Sequence, residues 1–131
     1  MPSIECSEDV YSWLHYMLSI FSKLPIELQL VWLYEIIVKT TLIKCKDKFK
    51  RVKDNYVISV MSLHELTAES DDELYTLQRL SLFRNRFVHF SYYNIEKLWN
   101  DCIQTQAVLN TIAQRYGVYL NWNKTVALDM M

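Results

Sequence analysis

The sequence predicts an all-α fold, an antiparallel up-and-down helical bundle of four main helices with room for one additional short helix. The chain has one Gly and two Pro among its 131 residues, which leaves little material for the tight turns of a β-rich fold. Hydrophobic residues make up 51% of the chain and recur at helical spacing in several long segments. A chain of this length builds one core. We therefore expect a single helical domain over residues 1–131, with its core at about residues 8–116 and a tail over 118–131.

The first two helices are predicted by their apolar periodicity and by the residues at which they begin. The first covers residues 8–23, with Ser7 as its N-cap and the acidic Glu8 and Asp9 in its first turn, where they complement the helix dipole. The second begins at Pro25, because proline suits the first position of a helix, and it is apolar on nearly all sides up to Ile37. A helix of that kind belongs at the centre of a bundle.

The second half of the chain carries clearer boundary signals. Ser70 to Glu73 has the S-x-x-E form of a capping box and predicts a third helix over about residues 71–90. Asn94 is the predicted cap of a fourth helix, which ends near Gly117, since the only glycine suits a left-handed C-terminal position. Residues 55–66 lack a clear period and are ambiguous between a short strand, a loop and another helix, of which we assign them to a helix or a loop.

Charge and cysteine content restrict the chemistry. The formal net charge of −1 gives no overall field that attracts nucleic acid, so RNA binding would need a local basic patch. Cys6, Cys45 and Cys102 are far apart and lack metal-ligand spacing, which predicts reduced thiols, no metal and no other cofactor. The acidic N-terminus differs from a secretory signal, and no apolar run is long enough to cross a membrane. We expect a cytoplasmic protein without a membrane contact.

Residues 82–93, LFRNRFVHFSYY, place charged and polar groups inside an apolar helical segment. On a helical wheel Arg84 lies in the middle of the apolar face, while Asn85 and His89 share an adjoining face. Arg84 and His89 diverge by about 140° around the axis, so one helix cannot direct both at the same atom. Two copies meeting across a two-fold axis could supply both groups to one cleft, which predicts a homodimer. The residues expected near the rim of that interface are Phe83, Phe90 and Tyr92.

A structural role for the same residues is the alternative. An arginine and a histidine at this spacing arise by chance in a chain of this composition. Arg84 could be buried against a carboxylate such as Glu35 or Glu96, and His89 could cap the end of its helix. His15 and His64 have no metal-ligand company, and we expect core or surface roles for both.

The segment Arg84-Asn85-Arg86-Phe87-Val88-His89 resembles the R-x(4–6)-H signature of the HEPN superfamily. It has a polar residue directly after the arginine and an aliphatic residue directly before the histidine. Members of that family fold as small helical bundles with the signature on an inward-facing helix near a dimer interface. The resemblance implies a metal-independent endoribonuclease with a toxin, antiviral or other defence role, held in check by an inhibitory protein partner.

The residue chemistry is compatible with cleavage of RNA, because RNA supplies its own nucleophile, the 2′-hydroxyl. His89 would transfer protons, and Arg84 would hold the non-bridging phosphate oxygens through its planar fork. Asn85 would orient His89 or a phosphate oxygen. The products would carry a 2′,3′-cyclic phosphate and a 5′-hydroxyl.

Residues outside the signature are candidates for binding the substrate. Arg86 could contact an outer phosphate or could be a solvated surface residue. Tyr92 and Tyr93 could stack on bases, although a core or interface role is the alternative for both tyrosines. The basic residues expected to guide RNA, or else to form a solvated helix face, are Lys46, Lys48, Lys50 and Arg51. Ser91 stands two residues after the histidine, where HEPN toxins paired with a minimal nucleotidyltransferase antitoxin usually have tyrosine, which argues against that particular partner.

Two other functions stay open at the level of the sequence. One is a non-catalytic HEPN-like module that binds RNA, a nucleotide or a protein, in which Arg84 and His89 serve recognition or structure. The other is a helical adaptor without any nucleic-acid function. Binding of intact RNA without cleavage would indicate the first, and the absence of both would indicate the second.

Overall fold

The computed structural model describes residues 3–6, 10–45, 50–52 and 55–123, with side chains from residues 12–45 and 59–123. The prediction of a helical fold is confirmed, because helices make up most of these residues. Two helices of the first half, α1 and α2, are separated by a 3₁₀ turn at Phe21–Lys23. The α-helices are α1 Val10–Ile20, α2 Ile26–Lys44, α3 Val60–Thr67, α4 Asp71–Val88, α5 Ile95–Gln104 and α6 Gln106–Arg115.

A small antiparallel sheet accompanies the helices and was not predicted. Its strands are β1 Ser3–Cys6, β2 Lys50–Val52 and β3 Asn55–Ser59, in the order β1-β3-β2. Ile4 lies opposite Ile58, and Arg51 lies opposite Tyr56. The assignment of residues 55–66 to a helix or a loop is therefore wrong for its first five residues. The apolar run there is short because β3 passes directly into α3, so neither period extends far enough to be recognised.

Helix α2 lies at the centre of the fold. Its N-cap is Pro25, one residue before the helix begins, where the missing N–H of proline is not needed. Buried residues face in nearly every direction around it, as its apolar sequence predicted. The predicted first helix appears as α1 and the 3₁₀ turn, while its proposed cap and first turn, Ser7 to Asp9, lie outside the described residues.

The N-terminus of α4 forms half of the predicted capping box. Ser70 Oγ accepts a hydrogen bond from the Glu73 amide at 3.2 Å. The Glu73 carboxylate accepts from the Glu69 amide at 3.1 Å and is held at 2.6 and 2.9 Å by the two Nη atoms of Arg115, at the end of α6. The hydrogen bonds from Arg115 lower the pKa of Glu73 below its ordinary value. This bidentate ion pair joins the end of α6 to the first turn of α4.

The predicted fourth helix is two helices, separated at Thr105. The Thr105 hydroxyl and amide both donate to the Asp101 carbonyl, at 2.9 and 3.1 Å, and a threonine that bonds back to the preceding turn disturbs the helical ladder. Asn94 does precede α5, but its φ is +56° and its side chain makes no capping hydrogen bond. The role predicted for Gly117 is confirmed, with φ of +78° and the Val118 amide donating to the Ala113 carbonyl at 3.1 Å.

Helices α2 and α4 pack against each other, and each of the other helices contacts at least one of these two. Helices α4 and α5 are antiparallel, since Arg79 lies opposite Asp101 and Phe83 packs on Trp99. The residues after α6 return to the core through Val118, Leu120 and Trp122. Among the described residues, none of the helices has the length and apolar character to cross a bilayer.

Replacing Arg115 with methionine should lower the free energy of unfolding by about 2 kcal/mol, because the nearly buried Glu73 carboxylate would lose its bidentate partner. This contribution is present above the unfolded pKa of about 4.5 and is lost as the pH falls through the lower pKa of folded Glu73. Urea denaturation at several pH values measures it. The matched control is Lys97→Met, whose exposed pair with Asp101 should contribute less than about 0.5 kcal/mol. A difference for Arg115→Met that is undiminished at about pH 2 would contradict the assignment.

Candidate functional site

The signature residues lie in the last turn of α4 and just after it. The helix ends at Val88, and His89 is its C-cap, with the His89 amide donating to the Asn85 carbonyl at 3.2 Å. Asn85 and His89 are exposed, whereas Arg84 and Arg86 are half-buried. The termination of the helix therefore leaves the imidazole in solvent and keeps the Arg84 guanidinium against the body of the fold.

Both terminal nitrogens of the Arg84 guanidinium have a partner in the structure. Its Nη2 lies 2.5 Å from Oε1 of Glu35 on α2, and its Nη1 donates to Oδ1 of Asn85 at 2.9 Å. We expected that Arg84 could pair with a carboxylate such as Glu35 or Glu96, and its partner in the structure is Glu35. Asn85, which we expected to orient His89 or a phosphate oxygen, instead accepts from Arg84. Within the described residues, the His89 imidazole forms no hydrogen bond with the side chain of Arg84 or of Asn85.

Glu35 is shared between two cations. Lys39 Nζ donates to Oε2 of Glu35 at 2.8 Å, on the carboxylate oxygen that Arg84 leaves free. Burial alone would raise the pKa of Glu35, but Lys39 and Arg84 together hold it below its ordinary value. The carboxylate is thus ionised at neutral pH. One negative charge facing Lys39 and Arg84 leaves the cluster with a net charge of +1.

A buried polar layer lies next to this cluster. The Tyr34 hydroxyl is 2.8 Å from Nε2 of His64 on α3 and is also hydrogen-bonded to Ser81 on α4. Burial raises the pKa of Tyr34 and lowers that of His64 to about 4, so both are neutral at pH 7. His64 is therefore a buried, uncharged histidine at pH 7 and cannot attract an anion by its charge. Its partner Tyr34 lies 30 residues away, which no local pattern could reveal.

The residues that follow the helix form a second group. The Arg86 guanidinium lies 5.1 Å from the centre of the Tyr93 ring, and its Nη1 donates to Oγ of Ser91 at 3.3 Å. Tyr92 and Tyr93 are exposed, at 91% and 67%, which excludes a core role for them in this chain. Phe83, by contrast, is buried against Phe87 and Trp99, so the expectation that it lies at an interface rim is wrong.

The basic residues that were expected to guide RNA, or else to form a solvated helix face, are described in part. Lys50 and Arg51 belong to β2, where they lie opposite Val57 and Tyr56, so neither of them lies on a helix face. Lys46 and Lys48 lie outside the described residues.

The two cysteine side chains that the structure describes, together with the described acidic residues and histidines, are candidates for a second site. Cys45 and Cys102 are free thiols, and burial raises the pKa of Cys102 to about 12, so it stays protonated. Among the described side chains, no three His, Cys, Asp or Glu residues gather into a group that could hold a metal ion.

We expect Arg84→Ala to lower the free energy of unfolding by about 1–2 kcal/mol, because Glu35 would keep Lys39 as a partner. Glu35→Ala should cost more, since it leaves two half-buried cations facing each other. Chemical denaturation of both variants and of the double variant measures the coupling. A loss of about 3–5 kcal/mol for Arg84→Ala, the value for an isolated buried pair, would mean that Lys39 does not compensate.

The folded protein should lose stability between pH 6.5 and about pH 4 through His64. The unfolded chain takes up the proton near pH 6.5, whereas folded His64 takes it up only near pH 4. The contribution is therefore complete above pH 6.5 and declines by about 3 kcal/mol across that window. Urea denaturation across the window should show this slope in the parent and in His15→Gln, a change at an exposed histidine, but not in His64→Gln. Equal slopes in all three would contradict the assignment.

No protein-family model matches this chain, and no significant similarity was found to a curated protein or to a solved structure. The resemblance of residues 84–89 to the HEPN signature stays a prediction from the sequence.

Proposed function

We propose that this protein is a metal-independent endoribonuclease of HEPN type, built on an antiparallel bundle of four main helices. The observation that carries the proposal is the arrangement at the end of α4, where the positively charged Arg84 cluster and the exposed His89 lie within five residues of each other. An anion-binding group and an imidazole that is free to exchange a proton are the minimum that cleavage of RNA requires. The R-N-R-F-V-H segment supports the same conclusion through its family resemblance.

The cleavage step needs two proton transfers and one anion site. The 2′-oxygen of the RNA forms a bond to phosphorus, and the bond from phosphorus to the 5′-oxygen of the next nucleotide breaks. The 2′-hydroxyl proton leaves to a base, and a proton reaches the departing 5′-oxygen. His89 serves one of these two transfers, because an imidazole can act as the base that takes the 2′-hydroxyl proton or as the acid that protonates the departing 5′-oxygen.

Arg84 retains hydrogen-bonding capacity for a phosphate although it is already paired. Each Nη carries two protons, and the bonds to Glu35 and Asn85 use one from each nitrogen. The remaining two can donate to non-bridging oxygens. Since Glu35 divides its charge between Arg84 and Lys39, the cluster attracts an anion rather than repelling it.

A homodimer completes the site in this proposal. Arg84 and His89 diverge around the axis of α4, and a second copy can contribute the group that one copy directs elsewhere. Leu82 and Val88 are exposed on α4, at 43% and 40%, and supply apolar area for such a contact. By resemblance, the enzyme serves as a toxin or defence nuclease restrained by an inhibitory protein.

The second candidate is a non-catalytic HEPN-like module that binds RNA, a nucleotide or a protein. The contact between Arg84 and Glu35 favours it, because an arginine with a carboxylate partner on the neighbouring helix already has a structural role.

The decisive test uses purified protein, end-labelled single-stranded RNA and EDTA. The parent should cleave the RNA and leave 2′,3′-cyclic phosphate ends. His89→Ala should reduce the rate by a factor of about 10² or more, because general acid–base catalysis contributes about 10²–10⁴. Its melting temperature should stay unchanged, since the side chain is exposed. His15→Ala, at an exposed histidine of α1, is the matched control and should cleave as the parent does.

Three outcomes would redirect the proposal. RNA that is bound but left intact by the parent supports the non-catalytic module, and the absence of both activities supports an adaptor. A parent that sediments as a monomer at micromolar concentration and still cleaves would remove the shared cleft from the proposal.

A further inference from the structure

The connection between α4 and α5 exposes three aromatic rings within four residues. Phe90, Tyr92 and Tyr93 are 86%, 91% and 67% exposed, and we call residues 90–93 the aromatic segment. Single exposed hydrophobic residues are common on protein surfaces, but a run of this kind is typical of contact with another molecule. Packing within the described chain does not account for it.

Hydrogen bonds give the aromatic segment a defined backbone. The Ser91 amide donates to the Arg86 carbonyl at 2.9 Å, and the Ile95 amide donates to the Tyr92 carbonyl at 3.3 Å. At its other end, the Phe90 amide donates to the Phe87 carbonyl at 3.3 Å. A surface that is ordered before binding loses less conformational entropy when a ligand arrives.

The backbone is strained at both ends of the segment. Phe90 has φ of +53° and Asn94 has φ of +56°, and a left-handed conformation is unfavourable for a residue such as phenylalanine. Phe90 occupies the left-handed position that follows the end of α4, where the Ser91 amide donates to the Arg86 carbonyl. The chain turns away from the core at this residue, and the Phe90 ring lies in solvent.

Basic residues flank the segment. Between residues 84 and 97 the sequence carries Arg84, Arg86 and Lys97 against Glu96, a net charge of +2, and of the three cations Arg84 is paired with Glu35 and Lys97 with Asp101. The Arg86 guanidinium lies 5.1 Å from the Tyr93 ring centre and thereby brings positive charge onto the aromatic surface itself. Aromatic faces beside basic groups are the combination that binds unpaired nucleotides, through stacking and through phosphate attraction.

We propose that the aromatic segment is a base-stacking platform, on which Phe90 and Tyr92 hold unpaired bases of an RNA whose backbone reaches Arg84 and His89. This inference rests on the proposed function for the location of the reacting phosphate. The rings can stack only on bases that are free of a duplex, because the faces of paired bases are covered by their neighbours. The platform thus selects unpaired positions next to the scissile phosphate.

Binding is measured without cleavage, by using a fluorescent single-stranded RNA with 2′-O-methyl groups at every position, so that the nucleophile is absent. Fluorescence anisotropy with the full chain gives the affinity. Phe90→Ala and Tyr92→Ala should each weaken binding by about ten-fold, because each substitution removes a ring on which one base stacks. A duplex of the same sequence should bind the parent more weakly than the single strand and should not respond to either substitution.

Tyr75→Ala is the matched control. Tyr75 is an exposed tyrosine on α4 with Arg79 at 5.1 Å from its ring centre, the same geometry as Tyr93 with Arg86. It lies near the first turn of α4, far from the aromatic segment, and its replacement should leave RNA affinity unchanged. Circular dichroism confirms that all three variants stay folded, as expected for exposed rings.

The outcomes separate this proposal from the ribonuclease proposal. Unchanged affinity in Phe90→Ala and Tyr92→Ala, or equal affinity for duplex and single strand, overturns the platform even if the parent cleaves RNA. Weakened binding in both variants with no cleavage of ordinary RNA by the parent supports the platform and overturns the nuclease. If the substitutions dissociate a parent dimer and leave RNA affinity unchanged, the segment is an interface with a second copy and the platform is rejected.

Discussion

The burial of α2 on nearly every side governs how the neighbouring elements pack against it. A buried or half-buried polar side chain on such a helix has little access to water, so it needs a hydrogen-bonding or charged partner. Four such side chains bond to residues outside α2, each on a different part of the chain, and these contacts hold the elements in place. Gln29 accepts from the backbone amide of Asn121, while the side-chain pairs are Tyr34 with His64, Glu35 with Arg84 and Thr41 with Thr67.

The same constraint explains why Arg84 can stabilise the fold and still bind a phosphate in the function that we propose. Glu35 needs compensation because it is half-buried on α2, and it obtains this from Lys39 and Arg84 together. The two cations neutralise the half-buried carboxylate of Glu35, and the three side chains together keep a net charge of +1. The anion site that we propose is thus a consequence of how the charge of Glu35 on the central helix is neutralised. This is the physical connection between the stability of the fold and the function that we propose.

Helix α4 changes its environment sharply over a few residues. Phe83 packs on Trp99 in the core, whereas Phe90, seven positions later, lies almost entirely in solvent. The helix ends between them, and the left-handed backbone at Phe90 turns the chain away from the core. The aromatic residues of one continuous sequence segment therefore divide into a structural group and a group available for binding.

Local periodicity and the φ preferences of single residues were enough to predict the helical class, the cap at Ser70, the left-handed role of Gly117 and the central position of α2. The helical wheel also identified Arg84 as a polar residue on an apolar face. The folded structure was needed to show that Glu35 rather than Glu96 is the partner of Arg84, that His64 is the buried histidine, and that β1 pairs with β3. These contacts join residues tens of positions apart, and local sequence patterns contain no information on which distant residue will satisfy a buried polar group. The exposure of Phe90 and Tyr92 was likewise a tertiary outcome, since an aromatic residue at a helix end is recognised as core or surface only when the packing around it is known.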